Sequence, residues 1–416
     1  MESEKSSEQL NINKRRTFDR IPFSLVPRPS DVFFVGDLNG RLLALYKNCE
    51  FAGLIDGSHN WIGENKVLVF TGDLIGDRYP EGLQILLEID RIRKQARMMG
   101  GDIVLIAGNH DELLISYLRD SPVPNYQQRY ADGTKYPQNC MDAVSVCRKE
   151  NMGLGITELL QFLPITKKDK KKDLFNLLLK RHISPSQMNG FHQKGTYRNK
   201  EILEKMRNDP EGRIILETIC SFHLITQIDD NLAQHCPLNE QMAYLIQIFG
   251  IDTLNSLYQS ILRRDLLGEK IKISKTMNKL FESLRTAFLA TENRAYLSNE
   301  YIDFSLSEKG VNFNVHGHNP EGGKIYKIGK NIHCANIDFG AFYGDNWEEI
   351  NTPCSLAKVE SKGGQILLSN PQNPIIFQRE NKESPFELEG ITTKVHALLN
   401  NLDMQEHQED HEKSPK

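Results

Sequence analysis

The sequence predicts an α/β (α+β) fold, and three observations predict it. Short apolar runs alternate with helical stretches through residues 31–118. Those runs stop repeatedly at a glycine followed by a carboxylate, an amide or an imidazole. A second set of strand-like runs returns at 311–378, after a long and mostly helical interval. Strand and helix alternating on this scale make a parallel sheet covered by helices.

The elements follow in order. Residues 1–28 form a polar leader. The main domain spans 29–380. Its first part reads as VFFV (32–35), a helix near 40–52, KVLVF (66–70), a helix near 80–99, DIVLIA (102–107) and another helix. Residues 119–230 are polar, carry the basic run KKDKKKDLFNLLLKRH (167–182), and read as a helical insertion with irregular links. Residues 238–300 read as a second helical insertion. Strands then return as VNFNVHGH, KIYKIG, NIHCANIDFG, QILLS and PIIFQ. The tail, 381–416, is polar with one short amphipathic helix over KVHALLNNL.

Composition narrows the class. Hydrophobic residues at 39% and charged residues at 25% fit a soluble globular chain. A net charge of −4 argues against nucleic-acid binding, which needs a basic surface. Seven cysteines without a C-x-x-C pair suit a reducing compartment such as the cytoplasm. No apolar run approaches the roughly 20 residues that span a bilayer. The N-terminus has no apolar segment of signal-peptide type. Nothing in the sequence points to an oligomeric state.

Four apolar runs end alike. VFFV runs into Gly36-Asp37, VLVF-Thr into Gly72-Asp73, IVLIA into Gly108-Asn109-His110, and FNV into His316-Gly317-His318. In open α/β sheets ligands bind at the carboxyl ends of strands, and glycine there permits a sharp turn and close approach. The expectation is that these donors meet at one edge of one sheet. Oxygen and nitrogen donors of this kind suit divalent metals, and paired metals hold a phosphate and activate water.

The order GDLNG (36–40), GDLIGDR (72–78), GNHDE (108–112), NLAQHC (231–236) and GHNP (317–320) resembles the calcineurin-like metallophosphoesterases, and among them the phosphoprotein phosphatase branch. NIDFGA (336–341) is similar to the strand after the last metal histidine of that family. The resemblance implies a central β-sandwich flanked by helices, two divalent metal ions, and a phosphorylated protein as substrate. It assigns Asp37 and His318 to the first metal, Asp73 to a bridge, and Asn109 and His235 to the second metal, with His223 as the competitor of His235. It makes His110 the general acid, oriented by Asp77, and Arg78 and Arg294 the phosphate-binding cations. Arg294 stands 24 residues before His318, and Arg263, Arg264 and Arg285 compete with it. The attacking group is a hydroxide activated by the two metals.

This chain departs from the family pattern twice. Asn39 stands where the first motif has histidine, and Tyr79 follows Arg78 where the family has glycine. An amide oxygen is a harder donor than imidazole, so Asn39 as a ligand favours manganese, or magnesium, over iron or zinc. His316, two residues before His318, is either a neighbour of the metals or a buried structural histidine. The long insertions predict a cap over the site. Large insertions, the unusual first motif and the polar tail also resemble Wip-type effector phosphatases, which implies delivery into a host cell. Two other functions stay open: hydrolysis of a nucleotide or dinucleoside polyphosphate, and phosphate binding without catalysis.

Overall fold

The computed structural model describes residues 31–75, 81–119, 121, 159–162, 199–289, 306, 310–319, 324–328, 332–338, 356–360, 365–369 and 375–378. The leader, the C-terminal tail, most of the basic insertion, Asp77, Arg78 and Arg294 lie outside the described residues.

Strands β1 (Asp31–Val35), β2 (Val67–Phe70) and β3 (Asp102–Leu105) alternate with helices α1 (Leu42–Phe51), α2 (Gly82–Met98) and α3 (Asn109–Arg119). Helices α4 (Asn199–Asn208) and α5 (Pro210–Ile219) precede strands β4 (Ile225–Ile228) and β5 (Asn231–Gln234). Helices α6 (Glu240–Phe249), α7 (Ile251–Leu262) and α8 (Lys275–Leu289) follow. The remaining strands are β6 (Phe313–His316), β7 (Lys324–Ile328), β8 (Ile332–Asn336), β9 (Leu356–Glu360), β10 (Gln365–Ser369) and β11 (Ile375–Gln378).

These strands form two sheets, as the β-sandwich implied by the resemblance requires, and not the single sheet that the strand ends alone suggest. The first has the order β11-β10-β9-β1-β2-β3 and the second β4-β5-β6-β8-β7. In the first, β1 pairs in parallel with β2, and β2 with β3, while β9 runs antiparallel on the other side of β1. In the second, β5, β6 and β8 are parallel, with β4 and β7 antiparallel at the edges.

Side-chain alternation explains the stacking. Val32 and Phe34, Val67 and Val69, and Val104 pack with Ile228, Ala233, Phe313, Val315 and Ala335 in a dry layer between the sheets. The intervening Phe33, Val35, Leu68, Phe70, Ile103 and Leu105 point the other way, into the larger core shared with the helices. Strands buried on both faces read as unbroken apolar runs, which is how these three appear in the sequence.

The sequence expectation needs two corrections. Residues 225–234, placed inside or beside an insertion, are strands β4 and β5 of the second sheet. β9 was not expected at all, yet it is the direct neighbour of β1. Both segments are short and mix polar with apolar residues, so sheet pairing and not local pattern decides them. The described parts of the insertions join the main body: α5 packs on α2, and α4 on α3. α5 begins at a strong start signal, where Asp209 accepts from the N–H groups of Glu211 and Gly212 and Pro210 opens the helix. The cap expected from the insertions at 119–230 and 238–300 falls in part on residues 122–158 and 163–198, which lie outside the described residues. Among the described residues no helix is long and apolar enough to cross a membrane.

Candidate metal centre

The donors come from the ends of strands in both sheets. Asp37 follows β1, Asp73 follows β2, Asn109 opens α3 after β3, His235 follows β5, and His318 follows β6. All five are buried.

Three glycines make room for this convergence. A Cβ on Gly108 would stand 2.1 Å from Asp73 Oδ1, and one on Gly317 would stand 2.2 Å from Asp37 Oδ1. A Cβ on Gly72, whose φ is +109°, would stand 2.5 Å from His235 Nδ1. Asn39, Asp73 and His318 themselves take positive φ, at 54°, 50° and 71°. Non-glycine residues in that region cost about 1–3 kcal/mol each and collect at functional sites. Asn39 and Gly40 form consecutive left-handed positions, which Asn-Gly accepts readily. The Asn39 and Gly40 N–H groups donate to the carbonyls of Asp73 and Leu74, at 2.8 and 3.1 Å, and lock the first motif onto the second.

Asn109 sits at the centre of the imidazoles. Its Oδ1 is 2.8 Å from His235 Nε2 and 2.9 Å from His318 Nδ1. His235 Nε2 is also 3.4 Å from Asp73 Oδ1, and its Nδ1 is 4.0 Å from Asp37 Oδ1. His235 Nδ1 lies 2.9 Å from the carbonyl of Thr71, which fixes the proton on Nδ1 and turns the Nε2 lone pair toward the oxygens. Burial lowers the His235 pKa to about 3, so the ring is neutral and ready to donate that lone pair. A lone pair aimed at two oxygens is repulsive unless a cation lies between them. The donor atoms of Asp37, Asp73 and His235 fall within 4.8 Å of one another. The Nδ2 atoms of Asn39 and Asn109 are buried with no hydrogen-bond partner. This donor set fits divalent cations.

His318 divides its contacts. Its ring goes to Asn109, while its backbone N–H donates to the Asp37 carboxylate at 3.2 and 3.3 Å. His110 occupies the first turn of α3. Its backbone N–H donates to Asp73 Oδ1 at 3.0 Å, and its Nε2 is 3.7 Å from Asp73 Oδ2. The N-terminus of α3 thus directs its positive end at the carboxylate. His316 is buried, its Nδ1 donates to the Gly317 carbonyl at 2.9 Å, and burial lowers its pKa to about 4. His223 is drawn elsewhere: its backbone pairs with the end of β3, and its ring accepts from Asn255 Nδ2 at 3.2 Å.

The rival arginines are each engaged with a carboxylate. Arg263 pairs with Glu269, and Arg264 with Asp265. Arg285 is fully buried and pairs with Glu112 and Glu282.

Sequence reasoning missed several supports. The Asp111 carboxylate accepts from the N–H groups of Ile75 (2.8 Å) and Gly108 (2.7 Å), tying together the loops that carry Asp73 and Asn109. Burial raises its pKa to about 7, against the pull of those backbone donors. An acid in the first turn of a helix after G-N-H was a signal for it. Asn336, in the NIDFGA motif, donates to the Asn319 carbonyl at 2.8 Å and braces the turn that carries His318. The Thr71 carbonyl that orients His235 has no sequence signal.

The sequence pattern of the calcineurin-like phosphoesterases matches residues 31–254, more than half of the chain, and the chain belongs to that family. Shewanella-like protein phosphatase 2 of Arabidopsis thaliana is 36% identical over 84 residues, 20% of this chain and 21% of that protein. Shewanella-like protein phosphatase 1 of Plasmodium berghei is 33% identical over 82 residues, 20% of this chain and 22% of that protein. The chain thus matches about a fifth of the length of these relatives. Among solved structures, the cold-active protein-tyrosine phosphatase of a psychrophilic Shewanella aligns at a TM-score of 0.46 and 17% identity, over 82% of this chain and 77% of that one. A protein serine/threonine phosphatase from Saccharomyces cerevisiae aligns at 0.36 and 12%, over 86% and 82%.

Proposed function

We propose that this chain is a metal-dependent phosphomonoesterase acting on phosphorylated proteins. The observation that carries the reading is the meeting of Asp37, Asp73, Asn109, His235 and His318 at strand ends of two sheets, with glycines clearing the space. The names of the two curated relatives support a phosphoprotein as the substrate.

In this reading Asp37 and Asn39 would hold one cation, Asn109, His235 and His318 would hold the other, and Asp73 would serve both. The ring contact of His318 with Asn109 favours this division over one that gives His318 to the Asp37 side. Bound divalent cations supply positive charge for the phosphate oxygens and acidify the attacking water. His110, beside Asp73, hands a proton to the leaving oxygen, and an imidazole suits that task near neutral pH. Asp77 orients His110, and Arg78 and Arg294 grip phosphate oxygens, where a planar fork is favoured. The hard amide oxygen of Asn39 supports manganese or magnesium at the first position. The described cysteines Cys49, Cys220, Cys236 and Cys334 are buried and outside any disulfide, which supports a reducing compartment. The effector reading rests on architectural likeness alone and adds no step to this chemistry.

The test is hydrolysis by metal-stripped protein, titrated with manganese, magnesium, zinc and iron. Aryl phosphate, phosphoserine, phosphothreonine and phosphotyrosine peptides, and nucleotides are the substrates. Metal-restored turnover of phosphopeptides, abolished in Asp73→Asn, is the expected result. Turnover of nucleotides in large excess over phosphopeptides overturns the protein-phosphatase reading, and no turnover with any metal overturns catalysis.

A further inference from the structure

We propose that Cys236 is a further metal donor, joining His235 and His318 at the position served by Asn109, and that its sulfur selects a softer cation there. The inference rests on the metal centre proposed above and deepens it.

Cys236 directly follows His235 at the end of β5 and is fully buried. Its Sγ and one ring nitrogen each of His235 and His318 lie within 4.8 Å of one another. Thiolate and imidazole bind zinc at about 2.3 Å and about 2.0–2.1 Å, so two such donors on one ion stand at most about 4.4 Å apart. A small inward movement of the three side chains therefore closes them on one cation. Asn109 points to the same cation independently. It is 2% exposed, and its Oδ1, the atom of the amide that can bind a metal, lies 2.8 Å from His235 Nε2 and 2.9 Å from His318 Nδ1.

The two halves of the centre then differ in chemistry. Asp37, Asn39 and Asp73 offer oxygen. His235, His318 and Cys236 offer nitrogen and sulfur. Soft donors favour zinc or iron over manganese. The step is an exchange without redox change: the Cys236 S–H bond breaks, an S–metal bond forms, and the proton passes to the buffer.

The experiment is titration of the metal-stripped full chain with cobalt(II), followed by absorption. The expected result is visible d–d bands together with a near-ultraviolet sulfur-to-cobalt band. Cys236→Ser loses the near-ultraviolet band and keeps the visible ones, whereas Cys49→Ser and Cys334→Ser keep both. Zinc affinity of Cys236→Ser falls by about tenfold or more, with manganese affinity unmoved. X-ray absorption of the zinc-loaded wild type, which needs no variant, shows a sulfur neighbour. Cobalt binding without the near-ultraviolet band, no sulfur neighbour, or a band that survives Cys236→Ser overturns the thiolate and leaves the metal centre standing. A folded chain that binds no cobalt overturns both.

Discussion

Replacing Arg285 by methionine tests how α3, the helix that opens with Asn109 and His110, is held. Arg285 is 0% exposed, and its Nε donates to Glu112 Oε1 at 2.7 Å. Its Nη2 donates to Ser116 Oγ at 2.7 Å, and its Nη1 to Glu282 at 2.5 Å. Burial opposes its charge, but Glu112 and Glu282 outweigh burial and raise its pKa. Glu112 also accepts from Ser116 and from Tyr258, each at 3.1 Å. The network thus clamps the first turn of α3, beside Asn109 and His110, to α7 and α8.

Methionine keeps most of the volume and removes the charge, so the loss is electrostatic more than steric. Breaking a buried pair from one side costs about 3–5 kcal/mol, because the surviving charge stays buried. The two remaining hydroxyl donors place the expected loss near the lower end, at about 3 kcal/mol. That is a large part of the roughly 5–15 kcal/mol that holds a domain. The assay is urea unfolding at pH 8. Adding Glu112→Gln, which leaves no charge to strand, recovers much of the loss as a double-mutant coupling of about 2 kcal/mol. A loss under about 1 kcal/mol, or a double variant whose loss is the plain sum of the two single losses, refutes the reasoning.

Two other predictions follow from single positions. In Gly108→Ala the new methyl meets Asp73 Oδ1 and Asp73 N at 2.1 and 2.2 Å, so turnover of aryl phosphate falls by about 100-fold or more, while Gly57→Ala, which meets nothing within 4 Å, stays near wild type. Burial lowers the His223 pKa from 6.5 to about 4, so the unfolded chain binds the extra proton first as pH falls. Stability carried by the neutral ring is fully present above pH 6.5 and declines between 6.5 and about 4. The ring is only partly buried, which trims the effect to about 1–2 kcal/mol, and His223→Gln flattens that part of the pH–stability curve.

The legible part of the site was the part punctuated by glycine. Asp37, Asp73, Asn109 and His318 each follow a glycine at a strand end, and at Gly72, Gly108 and Gly317 a Cβ would collide with a neighbouring donor or its loop. His235 was harder to place, because NLAQ is a four-residue strand whose pairing depends on β4 and β6. Asp111 was readable only as a helix-terminal acid, since its partners Ile75 and Gly108 are backbone groups of separate loops.

From sequence alone follow the strand–helix alternation, the strand ends that carry chemistry, and the family whose motifs they match. These are local properties: periodicity, turn chemistry and the order of motifs along the chain. Tertiary structure decided that two sheets and not one supply the donors, and that the His318 ring joins Asn109 and His235. It also placed Cys236 beside them and drew Arg285 to Glu112 across 173 positions of sequence. Each of these depends on which faces stack and which distant segments share a layer. Side-chain alternation restricts such packing, but only the assembled core selects one arrangement.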